Sequence, residues 1–418
     1  MKMLQTMCAA ALLLPSIAFA APPDIDDVSV SQAEDRLVTI SYRLTGAPAI
    51  VTIEASTNGV RLAGSMLTNA TGALNRRIEP GDAVQTITWQ PRVTWPDQKI
   101  TNGTFKVKLT AWAMDNPPDY MAIDLTRPNT RFWYACADDV PGSPTNDLYK
   151  CDWMLFRRIH AEGVRWRMGA NGDTTGKYVP HHVTFTNDYY MAIFEMTIGQ
   201  RTRIVSGTAG GFYPDRSTSY DALRGTVTGH DWPTDGHAVA ADSVIGKLRT
   251  LTGIDGIDLP TSAEWEYASL AGRTALFHWG YDTAQATFQQ YEWNKPMTQT
   301  AETCLALGGD GKYHAQQVGL LKPNPWGLYD THGNVFERCL DWYAEGAAFG
   351  EPGSEVIGPV GPVSGTSRVI HGGGYTHNTT GAPYASHVEA YNSNASNGSS
   401  TANVGYRLAC HADLRNLR

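Results

Sequence analysis

The chain has 418 residues, with 33 Lys and Arg against 41 Asp and Glu and a formal net charge of −8. An acidic chain without a Lys/Arg-rich run lacks the cationic surface that phosphate neutralisation requires, so nucleic acid is excluded as a partner. At this length two or three domains with their own hydrophobic cores are expected. Residues 1–20, "MKMLQTMCAAALLLPSIAFA", place Lys2 before an apolar run and end on Ala18-Phe19-Ala20, the pattern of a cleaved signal peptide. Export to a periplasmic or extracellular space follows. No later stretch approaches the roughly 18 apolar residues of a membrane-spanning helix, so no membrane insertion is expected. Cys8 lies in the apolar run without a lipobox, which argues against a lipid anchor. The cysteines beyond the leader are Cys136, Cys151, Cys304, Cys339 and Cys410, an odd set that leaves at least one thiol unbridged. Cys136 and Cys151 flank the Pro-, Gly- and Asn-containing loop "ADDVPGSPTNDLYK" and are the expected pair. No two cysteines show a zinc-type spacing.

Residues 22–128 contain short alternating runs, "RLVTISYRL", "AIVTIEAST", "QTITWQ" and "TFKVKLTAWAM", separated by turn signals. Period-two alternation of this kind predicts an all-β sandwich, similar in architecture to immunoglobulin and fibronectin modules, with a spacer or docking role. Residues 129–150 read as a linker, and residues 151–418 as a second domain in which Gly, Trp, Tyr and His are frequent and periodicity fades. Two helices stand out there. "ADSVIGKLRTLTG" has Asp242 as its expected cap and Gly253 as its stop. "TSAEWEYASLAG" begins with the capping box Thr261/Glu264 and ends at Gly272; Trp265 packs inward while Glu264 and Glu266 pair with arginines. The remainder is loop and short strand, and that much loop needs aromatic anchors, buried charge pairs or bound ions to stay ordered.

Five blocks occur in a fixed order: "VRWRMGANGD…VPHHVTFTNDYYMAIFEMTIGQ", "IDLPTSAEWEYASLAGRTALFHWG", "VGLLKPNPWGLYDTHGNVFERCLDWY", "RVIHGGGY" and "NVGYRLA". Together they resemble the signature of the formylglycine-generating, sulfatase-modifying factor family. The resemblance implies an α+β fold, a C-type-lectin-like domain of the formylglycine-generating-enzyme type preceded here by the sandwich. It also implies structural calcium at the G-N-x-x-E segment, which points to Asn334 and Glu337, oxygen donors suited to a hard cation. The same residues read equally as a turn amide and a carboxylate–arginine pair. His181 and His182 are strand residues of the second domain.

Family enzymes carry two cysteines after the glycines of the fourth block that bind copper(I) and activate oxygen to oxidise a substrate cysteine. Aligned on "GGGY", these positions fall at His377 and Ala382. Thiolate is the soft ligand copper(I) needs, so neither copper binding nor formylglycine generation is expected. Arg338 also replaces the family's usual tryptophan. His377, His387 and Glu389 form a two-imidazole, one-carboxylate set of the non-haem iron type. The plainer reading, exposed loop residues, is preferred, and the HxxxHxE iron motif of the sulfoxide synthases that share this fold is absent. The run from Asn392 to Asn403 holds only Asn, Ser, Ala, Gly, Thr and cannot build a core. It reads as part of a recognition surface for a surface protein or glycan, with Tyr375, His377, Tyr384, Tyr391 and Asn394 as ligand-binding residues. The expected function is therefore a binding or accessory module, the alternative being an oxidase or other metal-dependent oxidoreductase with an altered site.

Overall fold

In the computed structural model, residues 21–96, 104–169, 180–216, 218–344, 353–376 and 403–411 are described. The leader reading falls outside them. Two four-stranded sheets form the N-terminal part. Val38–Thr45 shows the alternation that builds them, every second residue buried, and it pairs with Asp24–Gln32 on one side and Gln85–Trp89 on the other. Ala49–Thr57 pairs along its whole length with Phe105–Ala113 in the second sheet. Side chains from both sheets, among them Val38, Ile40, Ile53, Ile87 and Trp89, share one apolar core.

The change of sheet comes earlier than the sequence pattern placed it. Tyr120–Asp124 pairs with Trp153–Ile159, and Arg131–Tyr134 pairs with Tyr120–Asp124, so both belong to the six-stranded sheet of the second part. Residues 114–119 make the crossing, and much of the expected linker is strand and ordered turn. The reason is burial: all five residues of Tyr120–Asp124 are covered on both faces, a pattern that alternation cannot reveal.

The second part is mixed α/β and sheet-rich, with short helices. Val244–Thr252 stops at Gly253 in the left-handed conformation as expected, but its cap is Ser243, whose hydroxyl accepts from Gly246 N. Ser262–Ser269 carries the expected capping box, with Thr261 and Glu264 bonded reciprocally. Trp265 is buried, and so is Tyr267 on another face, because the helix is enclosed all round. Among the described residues, neither Glu264 nor Glu266 accepts a hydrogen bond from an arginine, although Arg167 acts electrostatically on Glu266. Glu264 binds His411 Nε2 at 3.0 Å, and Glu266 accepts Gly169 N at 2.9 Å. Irregular segments are held by rings and by charge: Phe277 stacks on Trp279 at 4.3 Å, and Arg224 meets Asp258 at 2.9 Å with both side chains fully buried. His181–Thr184 is a strand, as expected.

Candidate functional site

The strand Phe336–Trp342 is buried throughout and lies between two partners, antiparallel to Arg368–His371 and parallel to Val404–Tyr406. This arrangement brings Glu337 opposite His371 and Gly405, two residues from Arg407. Glu337 Oε1 accepts Arg407 Nη2 at 2.7 Å, and Oε2 accepts Arg407 Nε at 2.9 Å and Trp265 Nε1 at 2.6 Å. Arg407 also donates to Ala192 O and Tyr329 O. The pair is thus a water-free ion pair with its hydrogen bonds satisfied, the arrangement in which a buried charge is tolerated.

Asn334 sits in the left-handed turn conformation, φ 57°. Gln316 N donates to its Oδ1 at 2.8 Å, and its Nδ2 donates to Glu195 Oε2 at 2.7 Å. Of the two assignments left open by the sequence, the turn amide and the carboxylate–arginine pair describe these contacts. Both Glu337 oxygens accept hydrogen bonds from Arg407 or Trp265. Asp330 Oδ1 is buried and without a hydrogen-bond partner, while its Oδ2 accepts Gly319 N at 2.6 Å. Burial pushes Asp330 up to about 6, and burial together with Asp330 and Glu337 pushes Glu195 well above the usual carboxylate range. Three carboxylates therefore share the field of one guanidinium. Among the described residues, no group of three or more His, Cys, Asp or Glu is arranged to hold a metal.

The glycine-rich stretch leaves this frame at His371. Its Nε2 lies 2.8 Å from Ser262 Oγ, its ring stacks on Trp265 at 4.8 Å, and burial lowers its pKa to about 3, so the imidazole is neutral. Gly372 has φ 95°, and a Cβ there would stand 3.2 Å from the Trp265 ring, which is why glycine follows the histidine. Tyr375, read from the sequence as a ligand contact, is only 8% exposed. Its N donates to Asn334 O, its O accepts Thr298 Oγ1, and its ring meets Tyr313 edge-on at 5.6 Å. It is framework at the base of the segment. Asn403 Nδ2 donates to Thr376 Oγ1 at 3.2 Å, and Phe336 N donates to Asn403 O at 2.9 Å. His377, Ala382, Tyr384, His387, Glu389, Tyr391 and Asn394 lie outside the described residues.

A rim near Tyr375 escaped the sequence reading. Asp310 Oδ2 accepts Tyr213 OH at 2.9 Å and lies 3.0 Å from His314 Nε2; Arg216 lies over the Tyr375 ring at 5.8 Å. The four-residue step from Asp310 to His314 is visible in "GGDGKYH", but nothing local brings Tyr213 or Arg216 to it.

The expected Cys136–Cys151 bridge is not formed. Cys136 Sγ donates to Asp139 Oδ2 at 3.2 Å, and Cys151 Sγ donates to Gly210 O at 3.5 Å, so the two side chains engage different neighbours. The loop between them doubles back through its own turns instead, with Tyr149 OH donating to Pro141 O. Cys339 is fully buried, and its thiol is pushed well up by that burial, which makes it unreactive.

A formylglycine-generating enzyme of Streptomyces coelicolor is 38% identical over 166 residues, 38% of this chain and 48% of that protein. The Bos taurus formylglycine-generating enzyme is 36% identical over 160 residues, 37% of this chain and 39% of that protein. The chain thus spans half or less of the length of these relatives. The structure of PvdO from Pseudomonas aeruginosa superposes with a TM-score of 0.46 at 18% identity, covering 61% of this chain and 94% of that one. The sulfatase-modifying factor enzyme 1-like domain matches residues 158–412, from the end of strand Trp153–Ile159 to just past Ala409–Cys410. That match takes in more than half of the chain, which belongs to the sulfatase-modifying factor enzyme 1-like domain family.

Proposed function

We propose that this protein is an exported binding or accessory module of its family, with a C-type-lectin-like frame that presents residues 376–403 to a surface protein or glycan. In this reading the sheets before residue 114 are an immunoglobulin- or fibronectin-like spacer, and the setting is periplasmic or extracellular. The observation that carries the reading is the clamp at the base of the segment. Thr376 and Asn403 are bonded to each other, and Asn403 is bonded to the buried strand that holds Glu337. A segment fixed at both ends can vary between them without disturbing the frame. The family's copper thiols are replaced by His377 and Ala382, which leaves no soft ligand pair there for copper(I). A structural calcium ion at the Asn334–Glu337 segment is part of the same proposal, with the buried, unpartnered Oδ1 of Asp330 as a further oxygen donor.

Replacing Tyr384, Tyr391 and Asn394 with alanine tests the display. Binding to hits from a glycan array or an exported-protein panel should vanish while the melting temperature stays unchanged. Unfolding of the variant would place these residues in the frame and end the reading. The second reading is a formylglycine-generating-type oxidase or another metal-dependent oxidoreductase with an altered site, and it is favoured by the activity named for the relatives. Incubation with copper, oxygen, reductant and a cysteine-containing sulfatase-type peptide separates the two. An unchanged peptide mass supports the module, and a mass change to formylglycine supports the oxidase.

A further inference from the structure

Between the N-terminal sheets and the second part lies a cavity of about 440 Å³. One wall comes from strand Ala49–Thr57, from Gly64 to Leu67 and from the turns around Leu74 and Arg76; the other comes from strand Arg131–Tyr134, the loop to Lys150 and Trp153. The volume is that of a small-molecule site. Its seam is fixed. Trp133 N donates to Asn75 O at 2.8 Å, and Arg61 Nη2 meets Asp139 Oδ1 at 2.8 Å. At Gly64 a Cβ would stand 1.9 Å from Asp138 O, so the two backbones touch where no side chain fits. A cavity between surfaces pinned this closely is a built space rather than slack between loosely docked halves.

Two features of its lining define what it would take. Phe132 and Trp153 are stacked, centroids 5.5 Å apart and planes within 11°, and both are only half-buried, which leaves ring surface facing the space. Leu148, on the same wall, is 36% exposed. The ionisable groups of the lining are Asp139 and Arg76. Asp139 is neutralised by Arg61 across the seam, whereas Arg76 is exposed and has neither an ion pair nor a hydrogen bond among the described residues. An aromatic wall beside an uncompensated guanidinium selects a flat apolar ring carrying a negative charge.

We infer that this cavity is a binding site for a small aromatic anion, an aryl carboxylate or sulfonate, with its ring against Phe132 and Trp153 and its charge on Arg76. None of the lining residues named belongs to residues 376–403, and the inference stands whether or not those residues recognise a partner.

The probe is 8-anilinonaphthalene-1-sulfonate, titrated into the full-length protein, with fluorescence excited through tryptophan. Saturable one-to-one binding is expected. Arg76→Gln should weaken it about tenfold, the effect of losing one hydrogen bond to a charged group. The uncharged analogue N-phenyl-1-naphthylamine should bind wild type and Arg76→Gln alike. Leu148→Trp, a change at a half-exposed position that fills the space, should block both probes without lowering the melting temperature. Trp153→Ala should weaken both probes and reduce the energy transfer per bound probe. Binding of either probe that is indifferent to Leu148→Trp in a folded variant would overturn the assignment, as would sulfonate binding that Arg76→Gln leaves unchanged.

Discussion

Arg407 and Glu337 hold each other's charge in a place water does not reach, with Arg407 1% exposed and Glu337 fully buried. Glu337→Gln removes the hydrogen-bonded counter-charge and leaves the guanidinium with only the more distant carboxyls of Asp330 and Glu195 in that interior. The expected loss is about 3–5 kcal/mol, read as a shift of the urea midpoint at constant slope. A loss below about 1 kcal/mol would mean that the pair carries no such role. Buried carboxyls set the response to pH. Burial raises Glu266 and Asp341 to about 7 and Glu292 to about 8 from ordinary values of 4.5, 3.8 and 4.5. The folded chain therefore holds these protons to higher pH than the unfolded chain, and stability falls as pH rises through the interval. His411 is raised from 6.5 by Glu264 against its own burial, and its stabilising charge is likewise lost as pH rises. His278 and His371, lowered to about 3, act with the opposite sign, and their contribution to the slope fades as pH rises past their ordinary value of 6.5. From pH 6.5 to 8 the raised carboxyls and His411 outweigh that fading contribution. The melting temperature should fall steadily across that window, and Glu292→Gln should flatten the slope. A rise across the window would refute this account.

Helix Ser262–Ser269 depends on chemistry carried within four residues, the reciprocal bonds of Thr261 and Glu264. Thr261→Ala should cost about 1 kcal/mol, measurable by thermal or urea unfolding. Gly333 has a different dependence. Its φ is 83°, and a Cβ would stand 2.5 Å from Trp293 O and 2.6 Å from Glu292 Cγ. Gly333→Ala should destabilise by about 1–3 kcal/mol through strain at the turn before Asn334, and a neutral result would show that the turn can shift. The same contrast explains what was legible in the sequence. The caps at Thr261 and Gly253, the alternating strands of the first two sheets and the order of the five blocks are local patterns, and they can be read directly. Partners are not local. Arg407 is 70 residues from Glu337, and His411 is 147 from Glu264, so residue type announced a carboxylate but not what would face it. Tyr375 sits among glycines and polar residues that read as surface, yet Asn334 and Thr298 draw it into the frame. Strand Tyr120–Asp124 lies in the second part although the boundary read at residue 128 put it in the first, because a strand buried on both faces has no alternation to read.

At the scale of the whole molecule, the cation proposed at the Asn334–Glu337 segment and Asp330 would bind only the folded chain, and its removal should lower stability by mass action, about 2.7 kcal/mol for a site held at a hundred times its Kd. Chelator should lower the melting temperature of wild type, and Asp330→Asn should abolish that sensitivity. Identical melts with and without chelator would dismiss the ion. The order of strands has a further consequence, for how the chain is made. The two N-terminal sheets use nothing beyond Ala113. The six-stranded sheet instead places Ala409–Cys410 between Tyr189–Ala192 and Ile257–Asp258, and Val404–Tyr406 lies beside the strand that carries Glu337. A ribosome that has delivered residue 120 has delivered one complete pair of sheets, which can fold while synthesis continues. One that has delivered residue 400 has still not supplied the strands that fill the second sheet and bring Arg407 to Glu337. Folding of that half therefore follows the delivery of residues 404–410, and its acidic interior waits until then for its arginine.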